Sequence, residues 1–180
     1  MASHEIYSIK ADLDTFKTTH LKRWRKFVDN ISSDTIYIFE CVLLQNHITH
    51  LMLEYEVSED EIEIYFKDFI EVIKVMNPIL HYLSPIFVDG AIRHVAKVRR
   101  PEYQKRNNVW IDRVIDYTAK TPYGLHNGIV DMDGYIQFSI QRQGVEKRLI
   151  NEWKIDVQVI EHDGLNWERV LEKVLNNSNI

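Results

Sequence analysis

The chain has 180 residues and a mass of 21.5 kDa, room for one domain that buries about 70% of the surface its unfolded chain would expose. Apolar residues make up 45% and charged residues 27%, a balance that excludes disordered and fibrous classes. The net charge of −5 repels polyphosphate, so no nucleic-acid polymer is expected as a partner.

Cys41 is the single cysteine. It excludes an internal disulfide and a cysteine-based zinc site, and a reducing cytoplasm is the expected location. No apolar run approaches the ~20 residues of a membrane span. The opening MASHEIYSIKAD lacks the apolar core of a signal peptide, so no membrane partner is expected.

Taken in chain order, Leu13, Phe16, Trp24, Phe27 and Val28 share one face at helical spacing, which predicts an amphipathic helix over about 12–29. Ile36-Tyr37-Ile38-Phe39 is a short β-prone run that reads as a buried strand ending at Glu40. Leu44, Ile48, Leu51, Met52 and Tyr55 stripe a second helix. Ser58 and Glu61 form a capping-box signature for a third, whose core face is Ile62, Phe66, Phe69, Ile70 and Ile73. Asn77-Pro78 stops it.

Ile79 to Leu83 reads as another buried strand, closed by Ser84-Pro85. Residues from about 86 to 118 are mostly helical, with a break near Arg100-Pro101, and Thr121-Pro122-Tyr123-Gly124 reads as a loop. A long helix is predicted over about 132–151, with Gly144 as its weak point. Ile155, Val157, Val159 and Ile160 make a third strand. Trp167, Val170, Leu171, Val174 and Leu175 stripe the last helix.

Short apolar strands separated by helices predict an α/β fold, a parallel sheet covered by helices, within one domain over 1–180. Such sheets bind ligands beyond the carboxyl ends of their strands. That rule singles out Glu40 to Gln45, the charged stretch from Asp89 to Glu102, and Glu161 to Gly164. Glu40 at a strand end is a candidate to hold a Mg²⁺-bound water, weighed evenly against an acid that merely ends a strand. Arg93, Lys97 and Arg100 fall at i, i+4 and i+7 and form either one cationic face for a polyanionic ligand or a solvated helix face. His47 and His50 at i, i+3, with Glu54, are a weak metal signal. Cys41 has no evident partner base.

The segment Thr35 to Asn46 resembles the strand-then-helix unit that carries the acidic residue in P-loop kinases of the thymidylate-kinase and deoxynucleoside-kinase type. Ile92 to Glu102 resembles their arginine-bearing lid, and Glu161-His162-Asp163-Gly164 with the closing helix resembles their carboxyl terminus. The similarity spans most of residues 10–176 and extends to the carboxyl-terminal part of an uncharacterised bacterial group of P-loop NTPases.

The resemblance implies a nucleotide-binding phosphotransferase or NTPase acting with Mg²⁺ and ATP on a nucleotide or phosphorylated small molecule. Glu40 would contact Mg²⁺ or the acceptor. Arg93, Arg99 and Arg100 would stabilise the transferring phosphoryl group. Gln45 would read the substrate, and His162, Asp163 and Gly164 would lie near the adenine. The departure is the phosphate loop: none of Gly90, Gly124, Gly128, Gly134, Gly144 and Gly164 is followed by Lys-Ser or Lys-Thr. The resemblance therefore implies a kinase-like sheet without its first strand and phosphate loop, part of a longer product, with little or no activity in this form. The gap would close by direct pairing of the strands that flank it, or be covered by a strand from a second copy or another chain. The alternative class is a non-enzymatic kinase-like domain that binds a phosphorylated ligand or a protein partner.

Overall fold

The computed structural model of the chain describes residues 11–103 and 110–177, with the backbone alone at 100–103 and 177. Helix α1 (Leu13–Val28) starts where the Asp12 carboxylate accepts from the amide of Thr15 at 2.8 Å, satisfying a donor the first turn leaves unpaired. Helix α2 (Gln45–Tyr55) ends at Glu56 in the left-handed region (φ 48°). The Ser58/Glu61 capping box opens α3 (Glu59–Ile73) as the sequence predicts, and a single 3₁₀ turn (Lys74–Met76) leads to Asn77 at φ 49°.

Strand β1 (Ile79–Pro85) is followed by α4 (Val88–Tyr103), α5 (Trp110–Lys120) and the short α6 (Pro122–His126). Helix α7 (Met132–Glu152), strand β2 (Asp156–His162) and α8 (Trp167–Asn177) complete the order. β1 and β2 pair in parallel with Ile79 opposite Asp156 and Pro85 opposite His162. The chain is thus an α-rich α/β fold around a small two-stranded parallel sheet. Among the described residues no helix is long and apolar enough to cross a membrane.

The core is mainly helical. Phe16 of α1, Ile48, Leu51 and Leu53 of α2, Ile62, Phe66 and Phe69 of α3, and Phe138, Val145 and Leu149 of α7 are all buried. Tyr82 is the buried contribution of β1 to this cluster. Its neighbour Ser84 is buried on the same side of the strand, because alternate residues share a face.

Four sequence expectations are corrected. Ile36 to Phe39 is not a buried strand: it is irregular and exposed, with Ile36 and Ile38 at 70% and 88%. Its β-prone composition finds no strand to pair with among the described residues, and aromatic contacts to α1 hold it instead. Ser84 and Pro85 belong to β1 rather than closing it. Helix α4 runs through Arg100 and Pro101 to Tyr103 without the expected break. Thr121 to Gly124 is not a loop but the start of α6: Thr121 caps it by accepting from Gly124 N at 3.1 Å, and Pro122 sits in the first turn, where a missing N–H costs nothing.

Candidate functional site

Helix α7 lays two charged residues one turn apart, Arg142 and Glu146, into its buried side. Glu146 is almost wholly buried. Its Oε2 accepts from the Tyr82 hydroxyl at 2.7 Å, and its Oε1 lies 3.2 Å from Arg142 Nε. Neither atom of that ion pair is aligned for a hydrogen bond, so the attraction is chiefly Coulombic. Arg142 Nη1 donates to Thr49 Oγ1 of α2 at 3.0 Å, and the next side chain, Gln143, donates to the Pro85 carbonyl at 3.1 Å. Burial pushes the Glu146 carboxyl above its ordinary value against the pull of Arg142. Burial and the Glu146 charge together push the Tyr82 hydroxyl up. Ser84 Oγ, buried on the same side of β1, has no hydrogen-bond partner among the described residues.

The turn over 40–45 lies near this cluster, since Glu146 and Arg142 act electrostatically on Cys41. Cys41 adopts φ 58°, a backbone region that costs a non-glycine residue of order 1 kcal/mol. Its Sγ is 3.4 Å from Gln45 Oε1 and 4.0 Å from Glu40 Oε1. Partial burial of the sulfur and the Glu40 charge push the thiol up, so it is a poor nucleophile at neutral pH.

The candidate residues stand on three segments of the chain: the turn over 40–45, helix α4 and the turn over 162–164. Glu40 and Gln45 share the turn beside Cys41, yet Glu40 is exposed and ends no strand, so it does not sit at the edge of the sheet. Arg93 is held by Asp89 at 2.5 Å and by Asp133 at the start of α7. Arg99 lies over the Trp110 ring, 4.9 Å from its centroid. The side chain of Arg100 lies outside the described residues. Two of the expected lid arginines, Arg93 and Arg99, are therefore engaged within the protein, while Lys97 of the face the spacing predicted stays exposed.

His162, Asp163 and Gly164 do lie at the carboxyl end of the sheet. Ile86 N donates to the His162 carbonyl at 3.0 Å, His162 packs on Trp167, and Asp163 caps the turn by accepting from Leu165 N at 2.9 Å. Gly164 takes φ +81°, which favours a residue without Cβ. These interactions build a β2–α8 connection. No hydrogen bond or ion pair among the described residues joins Glu40, Arg93, Arg99 and the 162–164 turn to one another.

A third cluster joins His47 and His50, which the sequence singles out, to His20, which it does not. His20 of α1 and His47 of α2 pack with ring centroids 3.9 Å apart and planes tilted by 47°, and His50 packs on Phe16. Burial lowers His20 to about 3 and His47 to about 4, and it also lowers His50. The pair His47 and His50 belongs to the core. Among the described residues, no group of three or more His, Cys, Asp or Glu side chains could hold a metal ion.

Two signals could have exposed the missed residues. Arg142 and Glu146 stand at i, i+4 inside the apolar stripe of α7, where charge needs a partner. His20 stands at i+4 from Phe16 and i−4 from Trp24, on the apolar face of α1.

Comparison with protein-family models, with curated proteins and with solved structures finds no match.

Proposed function

We propose that the chain is a kinase-like α/β module with no phosphoryl-transfer activity of its own, which works by binding another polypeptide through the face that Ile36 to Phe39 form on α1. The observation that carries this reading is the exposure of that segment. Ile36 and Ile38 stand 70% and 88% exposed, while Tyr37 and Phe39 pack edge-on against Phe27, and Phe39 also meets Trp24. A contiguous apolar patch of this kind marks an interaction surface more often than a free one. The internal engagement of Arg93 and Arg99 points the same way, because it occupies the charges that phosphoryl transfer would need. Cys41, a free and exposed thiol, fits a reducing compartment such as the cytoplasm.

The test is purification of the native protein from its source cells under gentle conditions, beside an Ile38→Asp variant. The reading predicts a bound polypeptide that the variant loses. A chain that carries no polypeptide at any salt concentration overturns it.

One observation favours a second reading, the nucleotide-dependent phosphotransferase that the resemblance implies. Helix α4 begins three residues beyond β1 and beside the 162–164 turn, at the sheet edge where α/β proteins bind ligands. In that reading a further polypeptide segment supplies the phosphate loop, and Mg²⁺ and ATP bind only once it is present. Calorimetric titration of the chain with Mg·ATP separates the two. The binding module gives no heat, whereas saturable binding by the chain alone would favour the enzyme.

A further inference from the structure

We infer that α1 is an acid-operated flap: protonation of the imidazoles buried beneath it lifts α1 off α2 and α3, while the rest of the fold stays closed. This inference does not rest on the association reading above. It starts from how little anchors the helix. Of the 16 residues of α1, only Phe16 and His20 are buried, and the helix packs mainly on α3. Half of that buried anchor is a group that takes a proton. The His20 ring meets His47 of α2 with centroids 3.9 Å apart and Phe69 of α3 at 4.8 Å. Its Nδ1 pairs with the hydroxyl of Tyr65 on α3, and its Nε2 accepts the Trp24 indole N–H at 2.9 Å.

A second proton on His20 turns Nε2 into a donor facing a donor. Protons on His20 and His47 together set two like charges in contact where burial limits their solvation. Separating the two rings relieves both conflicts, and that separation is α1 leaving α2. Among the described residues, Arg23 and Lys17 of α1 add positive charge beside His20 and over the Tyr65 ring, while Glu54 of α2 acts on His50. Arg25 lines a groove with Asp29 and with Asp68 and Glu71 of α3, an attraction that opposes release. Burial holds His20 and His47 neutral down to about 3 and 4, whereas in water both titrate near 6.5. Each therefore favours release tenfold per pH unit below 6.5, and the pair together about a thousandfold at pH 5. The opening stays local because α2, α3, α7 and β1 share one buried cluster, to which α1 adds Phe16. Residues 29–44, which join α1 to α2, form no helix or strand, and 29–41 are exposed apart from Ile31. The joint turns without breaking a ladder of hydrogen bonds. Tyr37 and Phe39 travel with the helix, since they pack on Phe27 and Trp24.

The experiment is peptide-resolved hydrogen–deuterium exchange of the whole chain at pH 7 and pH 5, corrected for the intrinsic exchange rate at each pH. Wild type is expected to gain roughly a hundred- to a thousandfold in corrected exchange over α1 at pH 5, and less than about tenfold over α7. His20→Gln keeps an acceptor for the Trp24 indole and a donor for the Tyr65 hydroxyl but takes no proton. It is expected to cut the gain over α1 about thirtyfold, the share of one imidazole at pH 5. His47→Gln makes the same test from the α2 side if His20→Gln fails to fold by circular dichroism at pH 7. An α1 that keeps its protection at pH 5, or has none at pH 7, overturns the inference on wild type alone. Equal gains over α1 and α7 would make the acid transition a global one and overturn it too. So would a folded variant whose α1 opens as far as that of wild type.

Discussion

The indole N–H of Trp24 donates to His20 Nε2 at 2.9 Å, and this one bond fixes the charge state of a buried imidazole. An indole nitrogen can only donate, so Nε2 carries no proton, the neutral ring holds its proton on Nδ1, and that N–H donates to the Tyr65 hydroxyl. Protonation would set two donors against each other and place a cation on the His47 ring. The charged groups about the cluster among the described residues are Arg23 beside His20, Lys17 over the Tyr65 ring, and Glu54 beside His50.

Stability is accordingly expected to fall with acid. The unfolded chain binds protons at His20 and His47 near pH 6.5, while the folded chain resists until about pH 3 and 4. Stability is therefore lost as pH drops below 6.5, with a slope of up to about 1.4 kcal/mol per pH unit for each histidine. Glu146 acts with the opposite sign, because its raised pKa adds stability that is present at low pH and lost as pH rises through the folded value. Urea titrations from pH 7.5 to 4.5 on wild type and His20→Gln measure the slope, which the variant should reduce. Equal slopes would rule the account out.

The Arg142–Glu146 pair predicts a non-additive pair of substitutions. Arg142→Leu leaves a buried carboxylate without its counter-charge and is expected to cost about 3–5 kcal/mol, while Arg142→Leu with Glu146→Leu recovers most of that loss. Tyr82→Phe removes the donor to Glu146 Oε2 and is expected to cost about 1–3 kcal/mol. Equilibrium denaturation of wild type, Arg142→Leu, Glu146→Leu, the double variant and Tyr82→Phe checks both. Simple additivity would mean that the side chains do not act as a unit.

Gly124 is required by space. A Cβ there would overlap the carbonyl oxygen of Thr118, the group that also accepts from Thr121 Oγ1 at 2.7 Å. Gly124→Ala is expected to push α5 and α6 apart at a cost of about 3 kcal/mol or more, read as a lowered melting temperature. An unchanged melt would show that the two helices are not in this close contact.

Arg93→Ala separates an ion-pair role from a phosphate-binding one. Its partners Asp89 and Asp133 are exposed, so the substitution is expected to leave both the melting temperature and the calorimetric response to Mg·ATP unchanged. Loss of a nucleotide signal present in wild type would restore Arg93 to a ligand site.

What was legible in the sequence was what local physics decides. The Ser58/Glu61 box, the stop at Asn77-Pro78 and the core stripe of α3 depend on neighbours in the chain, and all three stand as read. A parallel sheet with strands near 79 and 156 was legible, and their direct pairing was not. Ile36 to Phe39 was misread because β-propensity reports fitness for a pleated surface and cannot supply the neighbouring strand. The charged run of α4 was legible only as spacing: i, i+4 aligns Arg93 with Lys97, but only the fold brings Asp133 against Arg93. The Tyr82–Glu146–Arg142 cluster joins residues 64 positions apart, and nothing in either segment alone announces the other.

The most direct test of the central claim, that Ile36 to Phe39 is a binding face for a polypeptide, is photo-crosslinking in the source cells from position 38. Position 64 on α3, also exposed as Ile64, is the control. The account predicts a discrete polypeptide adduct from position 38 and none from position 64. No adduct from 38, or the same adducts from both, would contradict it.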